Sequence, residues 1–239
     1  MIVSTSGIVL KAVPYKESST ITSVLTKEFG LKSYIIKGGR KKNATVKSNF
    51  FQPLQILSLV VYDNNKSALQ QIKECSIEED LTPIRCNIIK TSLTFFITEI
   101  LNLSLKENNP GDGIFEFVKN NITLINNSDS KFLKDVHIYF LYNLACILGF
   151  APLNNYSEKT KYFDLPKGCF TDKEDLQTLN TESSLLLHRY IINVSDNYCP
   201  FTENSLQRNN LLQTMIFFFE HHITNQKRIQ SHKILHDLL

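Results

Sequence analysis

Residues 34–47 read Tyr34-Ile35-Ile36-Lys37-Gly38-Gly39-Arg40-Lys41-Lys42-Asn43-Ala44-Thr45-Val46-Lys47. The apolar, β-favouring start is the inner part of a strand. Gly38 and Gly39 then free the backbone to turn sharply. Lys37, Arg40, Lys41, Lys42 and Lys47 crowd the turn, and no acid lies between Lys32 and Lys47. A cationic loop leaving a strand suits a phosphate backbone better than a small neutral ligand. The plainer reading is a solvated turn.

The segments around this loop decide what kind of strand it leaves. Val3 to Val13 is rich in β-branched residues and is broken by Gly7, and its alternation puts Ile8, Leu10 and Ala12 on one face. Pro14-Tyr15-Lys16-Glu17-Ser18 punctuates it. Ser19 to Lys27 alternates again. Glu28-Phe29-Gly30 turns the chain into the strand Leu31 to Lys37 as a hairpin. Phe50 to Tyr62 follows as a fourth strand and Ala68 to Cys75 as a fifth. Five closely spaced strands can close an oligonucleotide/oligosaccharide-binding (OB) barrel. The basic loop then borders the face that such barrels use for binding. Phe29 and Tyr34 lie nearby, either to stack on bases or to fill the barrel.

From Thr82 the apolar period becomes helical. Ile84, Ile88, Phe95, Phe96, Ile100 and Leu103 mark a first helix, which Asn108-Asn109-Pro110-Gly111 stops. Asp112 is placed to cap a second, striped by Phe115, Val118, Ile122 and Ile125. Ser130 is placed to cap a third, running through Val136, Phe140 and Leu144 to a stop at Gly149. Residues 150–171 are irregular. Further helices are expected within Leu176–Val194, Asn204–His222 and Ile229–Leu239, with Phe217-Phe218-Phe219 in the core. The expected architecture is multidomain, β then α: an OB barrel over 1–78 and an all-α domain over 79–239. Glu78-Glu79-Asp80 reads as the soluble hinge between them.

The net charge of +3 is unevenly placed. Residues 1–73 hold eleven Lys and Arg against Glu17, Glu28 and Asp63, giving 11 − 3 = +8, so the remainder sums to 3 − 8 = −5. That asymmetry implies two domains with different partners. No apolar run approaches the roughly 18 residues of a membrane span, so no membrane partner is expected. Cys75, Cys86, Cys146, Cys169 and Cys199 form no Cys-x-x-Cys pair, and the opening residues do not resemble a signal peptide. Reduced thiols and a cytoplasmic location are expected.

Enzyme chemistry finds no anchor. Neither Gly-x-x-x-x-Gly-Lys-Ser/Thr nor Gly-x-Gly-x-x-Gly occurs, nor Gly-x-Ser-x-Gly, nor His-Glu-x-x-His. His221-His222, His232 and His236 lack a completing acid or thiol cluster and read as solvent-facing.

Gly7-Ile8-Val9-Leu10, Tyr15-Lys16-Glu17-Ser18-Ser19 and Thr26-Lys27-Glu28-Phe29-Gly30 together resemble the opening of the RecO family of DNA repair proteins. Lys37-Gly38-Gly39-Arg40-Lys41, Gln52-Pro53-Leu54, Leu148-Gly149-Phe150-Ala151-Pro152 and Ile229-Gln230-Ser231-His232-Lys233-Ile234-Leu235 continue the resemblance. It implies a non-enzymatic recombination mediator with an N-terminal OB fold and a helical C-terminal domain. Such a protein binds single- and double-stranded DNA and anneals complementary strands. It partners RecR, contacts the acidic C-terminal tail of the single-stranded DNA-binding protein (SSB), and helps load RecA onto coated strands. The resemblance places Lys37, Arg40 and Lys41 among DNA-contacting residues; Lys42 and Lys47 are added from charge alone. Many members carry a four-cysteine zinc site after the Leu-Gly-Phe segment. Here Asn154 to Asp172 holds only Cys169, too few thiolates for a structural zinc. No zinc is expected, with Tyr162-Phe163-Asp164 and Phe170 packing in its place. The alternative function is a protein–protein adaptor whose basic loop docks an acidic peptide, with no direct role on DNA.

Overall fold

A computed structural model describes residues 1–41, 44, 46–63, 69–106, 113–194, 197–223 and 228–238, without the side chains of 236 and 237. Lys42 and the expected cap Asp112 lie outside the described residues. The chain forms two compact units, 1–127 and 128–239.

The first unit opens with β1 (Ile2–Tyr15), β2 (Ser19–Thr26), β3 (Gly30–Ile36), β4 (Ile56–Tyr62) and β5 (Leu69–Ile77). They close in the order β1-β2-β3-β5-β4, the connectivity of an OB barrel. β1 is long enough to pair with β2 through its second half and with β4 through its first. Closure comes from a short parallel pairing of Ser33–Ile35 with Leu69–Gln71. Val9, Val24, Tyr34, Ile36, Leu57, Leu59, Val61 and Ile72 fill the interior. Tyr34 is fully buried there. Of the two aromatics near the loop, it is therefore barrel filling and not a stacking platform, while Phe29 is half-buried.

Two expectations in the barrel need correction. The register of β1 against β2 shifts between Val9 and Lys11. A bulge breaks strict alternation, so Val9 and Ala12 pack on the interior cluster. Ile8 and Leu10 do not share a face with Ala12; they are buried outside that cluster, where a helix packs along β1. Nor is Phe50 to Tyr62 one strand. Ser48–Phe50 makes a single 3-10 turn, and Leu54 takes a left-handed φ of 58° before β4 begins.

Past the barrel come α1 (Thr82–Arg85), α2 (Ile88–Ser104) and α3 (Ile114–Asn127). Asn87 caps α2, its side-chain oxygen accepting from the N–H groups of Ile89 and Lys90. The buried stripe of α2 is Leu93, Phe96, Ile97, Ile100 and Leu101, while Ile88 and Phe95 face solvent. Of the expected stripe, Ile84, Phe96 and Ile100 are buried and Leu103 is half-buried. The α3 stripe of Phe115, Val118, Ile122 and Ile125 is buried as expected.

Glu78-Glu79-Asp80 is not a hinge. Glu78 pairs with Lys119 at 2.6 Å and accepts from Ser6 at 2.6 Å. Glu79 accepts from Thr123 at 3.1 Å. Asp80 accepts from the N–H and hydroxyl of Thr82, the first residue of α1. Asn126 donates to the Asp80 carbonyl at 3.0 Å. The acids fasten α1 and α3 to the end of the barrel's last strand, within the compact unit 1–127.

The second unit holds α4 (Val136–Ile147), the hairpin β6 (Tyr162–Asp164) and β7 (Cys169–Thr171), then α5 (Thr181–Asn193), α6 (Ser205–Ile223) and α7 (His232–Leu238). A 3-10 turn over Phe132–Asp135 leads into α4, so Ser130 does not cap the helix directly. Gly149 and Phe150 donate back to Cys146 and Ala145, the paired bonds of a Schellman stop. Phe218 and Phe219 are core, but Phe217 is 44% exposed. His222 is not solvent-facing; it stacks on Phe150 at 5.5 Å. Among the described residues no helix is long and apolar enough to cross a membrane.

Candidate nucleic-acid interface

The basic loop is held at defined points. β3 carries Ile36 into the core and releases Lys37 to solvent. Gly38 adopts φ +68°, a backbone that side-chain-bearing residues avoid. Lys41 donates its N–H to the Gly38 carbonyl at 2.9 Å, closing the turn. Ser48 donates to the Gly39 carbonyl at 2.9 Å, and Val46 is buried in the barrel core. The loop is thus moored at both ends, with Lys37, Arg40, Lys41 and Lys47 exposed along it.

A second loop joins the first. The Arg40 guanidinium donates to the Lys16 carbonyl, and the Arg40 N–H donates to Ser18 at 3.4 Å. Thr20 and Ser48 share a hydroxyl hydrogen bond of 3.0 Å across the same junction. The β1–β2 turn therefore lies beside the basic loop, and Lys16, at φ 51°, joins its cations. Its ammonium sits 5.4 Å from the Tyr15 ring. Sequence reading missed Lys16 because it is some twenty residues away along the chain. The clue was available: in an OB barrel the β1–β2 loop belongs to the binding face.

Among the described residues, Lys16, Lys37, Arg40, Lys41 and Lys47 form no ion pair. Lys27, on the same strand system, pairs with Glu116 at 2.8 Å. The glutamate raises the Lys27 ammonium above its ordinary range, first through the hydrogen bond and then through charge. Lys27 therefore has a protein anion, whereas the loop cations pair with none among the described residues. Exchanging counterions for phosphates is the general source of nucleic-acid affinity.

Among the described residues no three His, Cys, Asp or Glu side chains gather in a way that could hold a metal ion. At the expected zinc-site position the donors do not fit. Phe163 and Phe170 are buried and meet edge-to-face at 5.0 Å. Tyr156 meets Phe170 at 5.3 Å and stacks on His188 at 4.4 Å. Cys169 is the single thiol of the segment 150–171.

A closed barrel with a basic, acid-free loop, followed by a helical region, places the chain in the OB-barrel class. The model of Recombination protein O N terminal matches residues 1–80, and that of Recombination protein O C terminal matches residues 85–228. The chain belongs to the RecO family of DNA repair proteins, which are recombination mediators and not enzymes. DNA repair protein RecO of Flavobacterium psychrophilum is 28% identical over 239 residues, covering 100% of this chain and 99% of the relative. DNA repair protein RecO of Azobacteroides pseudotrichonymphae is 26% identical over 240 residues, with the same coverage.

Proposed function

We propose that the chain binds single- and double-stranded DNA through its basic loop, with Lys16 added to Lys37, Arg40, Lys41, Lys42 and Lys47. Two strands held against one cationic surface repel each other less, which favours annealing of complementary sequences. In this reading the protein partners RecR and the acidic SSB tail and helps RecA onto SSB-coated strands, working in the cytoplasm on the nucleoid. The segment 150–171 folds without zinc. The observation that carries the DNA reading is the set of exposed cations, Lys16, Lys37, Arg40, Lys41 and Lys47, that pair with no acid among the described residues, with the two loops joined by the Arg40–Lys16 hydrogen bond.

The test is a combined Lys37→Ala, Arg40→Ala and Lys41→Ala variant, titrated with DNA at several salt concentrations. Each lost phosphate contact removes about 0.9 from the log–log salt slope, so the slope should flatten by up to about 2.7 and the affinity should fall. Unchanged affinity would remove the assignment.

The adaptor reading has one observation of its own. A cleft of about 210 Å³ lies between Leu54, Leu81, Ile84 and the exposed Phe95, with Arg85 at its edge. That combination suits an acidic peptide carrying an aromatic residue. A competitor of that composition, titrated with and without DNA, separates the two readings.

A further inference from the structure

The barrel closes through three residue pairs between β3 and β5, the last being Ile35 with Gln71. Beyond that pair a cleft of about 230 Å³ opens. Ile36, Val46 and Ile72, all part of the barrel core, line it. Lys37 and Lys73 stand on its rim. Lys73 reaches that position through a bulge: Val60 pairs with Glu74 and Val61 with Ile72, leaving Lys73 as the extra residue. Bulges commonly re-aim a side chain beside a binding site. Lys73 does contact Glu74 at 3.1 Å, but both side chains are widely exposed, and such surface pairs are weak enough for a phosphate to displace.

The remaining rim residues are Tyr62 and Gln71, cross-strand partners on β4 and β5. Tyr62 is 42% exposed, in contrast to Tyr34, which is sealed inside. An aromatic face, two flanking ammonium groups and an amide with both donor and acceptor match the parts of one nucleotide: base face, phosphates and base edge. A base within a duplex is stacked on both faces, so only an unpaired base can lie on Tyr62. We propose that this cleft is a base-stacking subsite for single-stranded nucleic acid, with Tyr62 as its platform. It rests on the reading that the barrel binds DNA, and continues the basic loop from Lys37.

The chain contains no tryptophan, so a full-length Tyr62→Trp protein carries one indole, at the cleft. Titration with end-labelled oligothymidylate should quench the indole in step with the rise in label anisotropy. Binding by anisotropy with unchanged indole emission overturns the subsite while leaving DNA binding intact. Absence of binding in both the parent chain and the variant removes the DNA reading and this proposal with it. Quenching by an acidic peptide alone assigns the cleft to a peptide and overturns the proposal. As a second variant, Tyr62→Leu should weaken single-strand binding about fivefold or more while duplex binding changes less than about twofold. Equal losses on both would make Tyr62 a structural residue and end the proposal.

Discussion

An alanine methyl at residue 39 would lie 2.6 Å from Ile36 Cγ2 and 2.6 Å from Ser48 Oγ, with the Val46 carbonyl at 3.0 Å. None of these is the free end of a long side chain, so the backbone itself must move. Overpacking of this kind costs about 1–3 kcal/mol. Gly39→Ala should therefore lower the unfolding free energy read from a urea titration by that amount and loosen the Ser48–Gly39 mooring. A variant with unchanged stability would show that the loop is not held as described. The cations themselves were legible as residue types in an acid-free run. The glycine between them was legible only as a turn, because Val46 and Ser48, which crowd it, arrive from seven and nine residues downstream. Tyr34 was ambiguous for the same reason: composition cannot say which aromatic of a barrel points inward.

At the scale of elements, the β6–β7 hairpin rests on aromatic packing. Phe163 is buried against Phe170 and meets Phe218 of α6 at 5.8 Å. Its end is tied by Asp164, which accepts from the Lys167 ammonium at 2.6 Å and the Lys167 N–H at 2.9 Å. Burial alone would raise the Asp164 carboxyl, but those bonds outweigh it and hold the group below its ordinary range. Truncating a buried phenylalanine costs about 3–5 kcal/mol. Phe163→Ala should lower the thermal midpoint accordingly, and a metal chelator should leave both parent and variant midpoints unmoved. A chelator-sensitive parent would mean that a metal, and not packing, secures the hairpin. The missing cysteines were plain in the sequence. The partners of the two phenylalanines were not, because α6 comes more than thirty residues after β7.

For the whole chain, the boundary of the barrel unit decides what can be cut. Ile8 and Leu10 are almost wholly buried although they lie outside the barrel's interior cluster. Asn102 of α2 donates to the Leu10 carbonyl at 3.3 Å, and Lys119 of α3 holds Glu78 at 2.6 Å. A fragment ending at 78 would expose that outer apolar face and deprive Glu78 of Lys119, leaving it only Ser6. The fragment 1–127 should unfold in one cooperative transition and bind DNA with a salt slope close to that of the full chain. The fragment 1–78 should aggregate or unfold at a markedly lower urea concentration. Equal stability of the two fragments would show that α2 and α3 do not hold the barrel.

The order of strands and helices, the basic loop and the family were determined by the sequence, because hydrophobic period, turn residues and charge runs are local properties. Three things waited for tertiary structure: the meeting of Lys16 with Arg40, the fastening of the acidic linker to α3, and the cleft beside Tyr62. Each depends on residues far apart in the chain brought together by barrel closure. Local pattern names the elements, but the register and packing of those elements select the neighbours of each side chain.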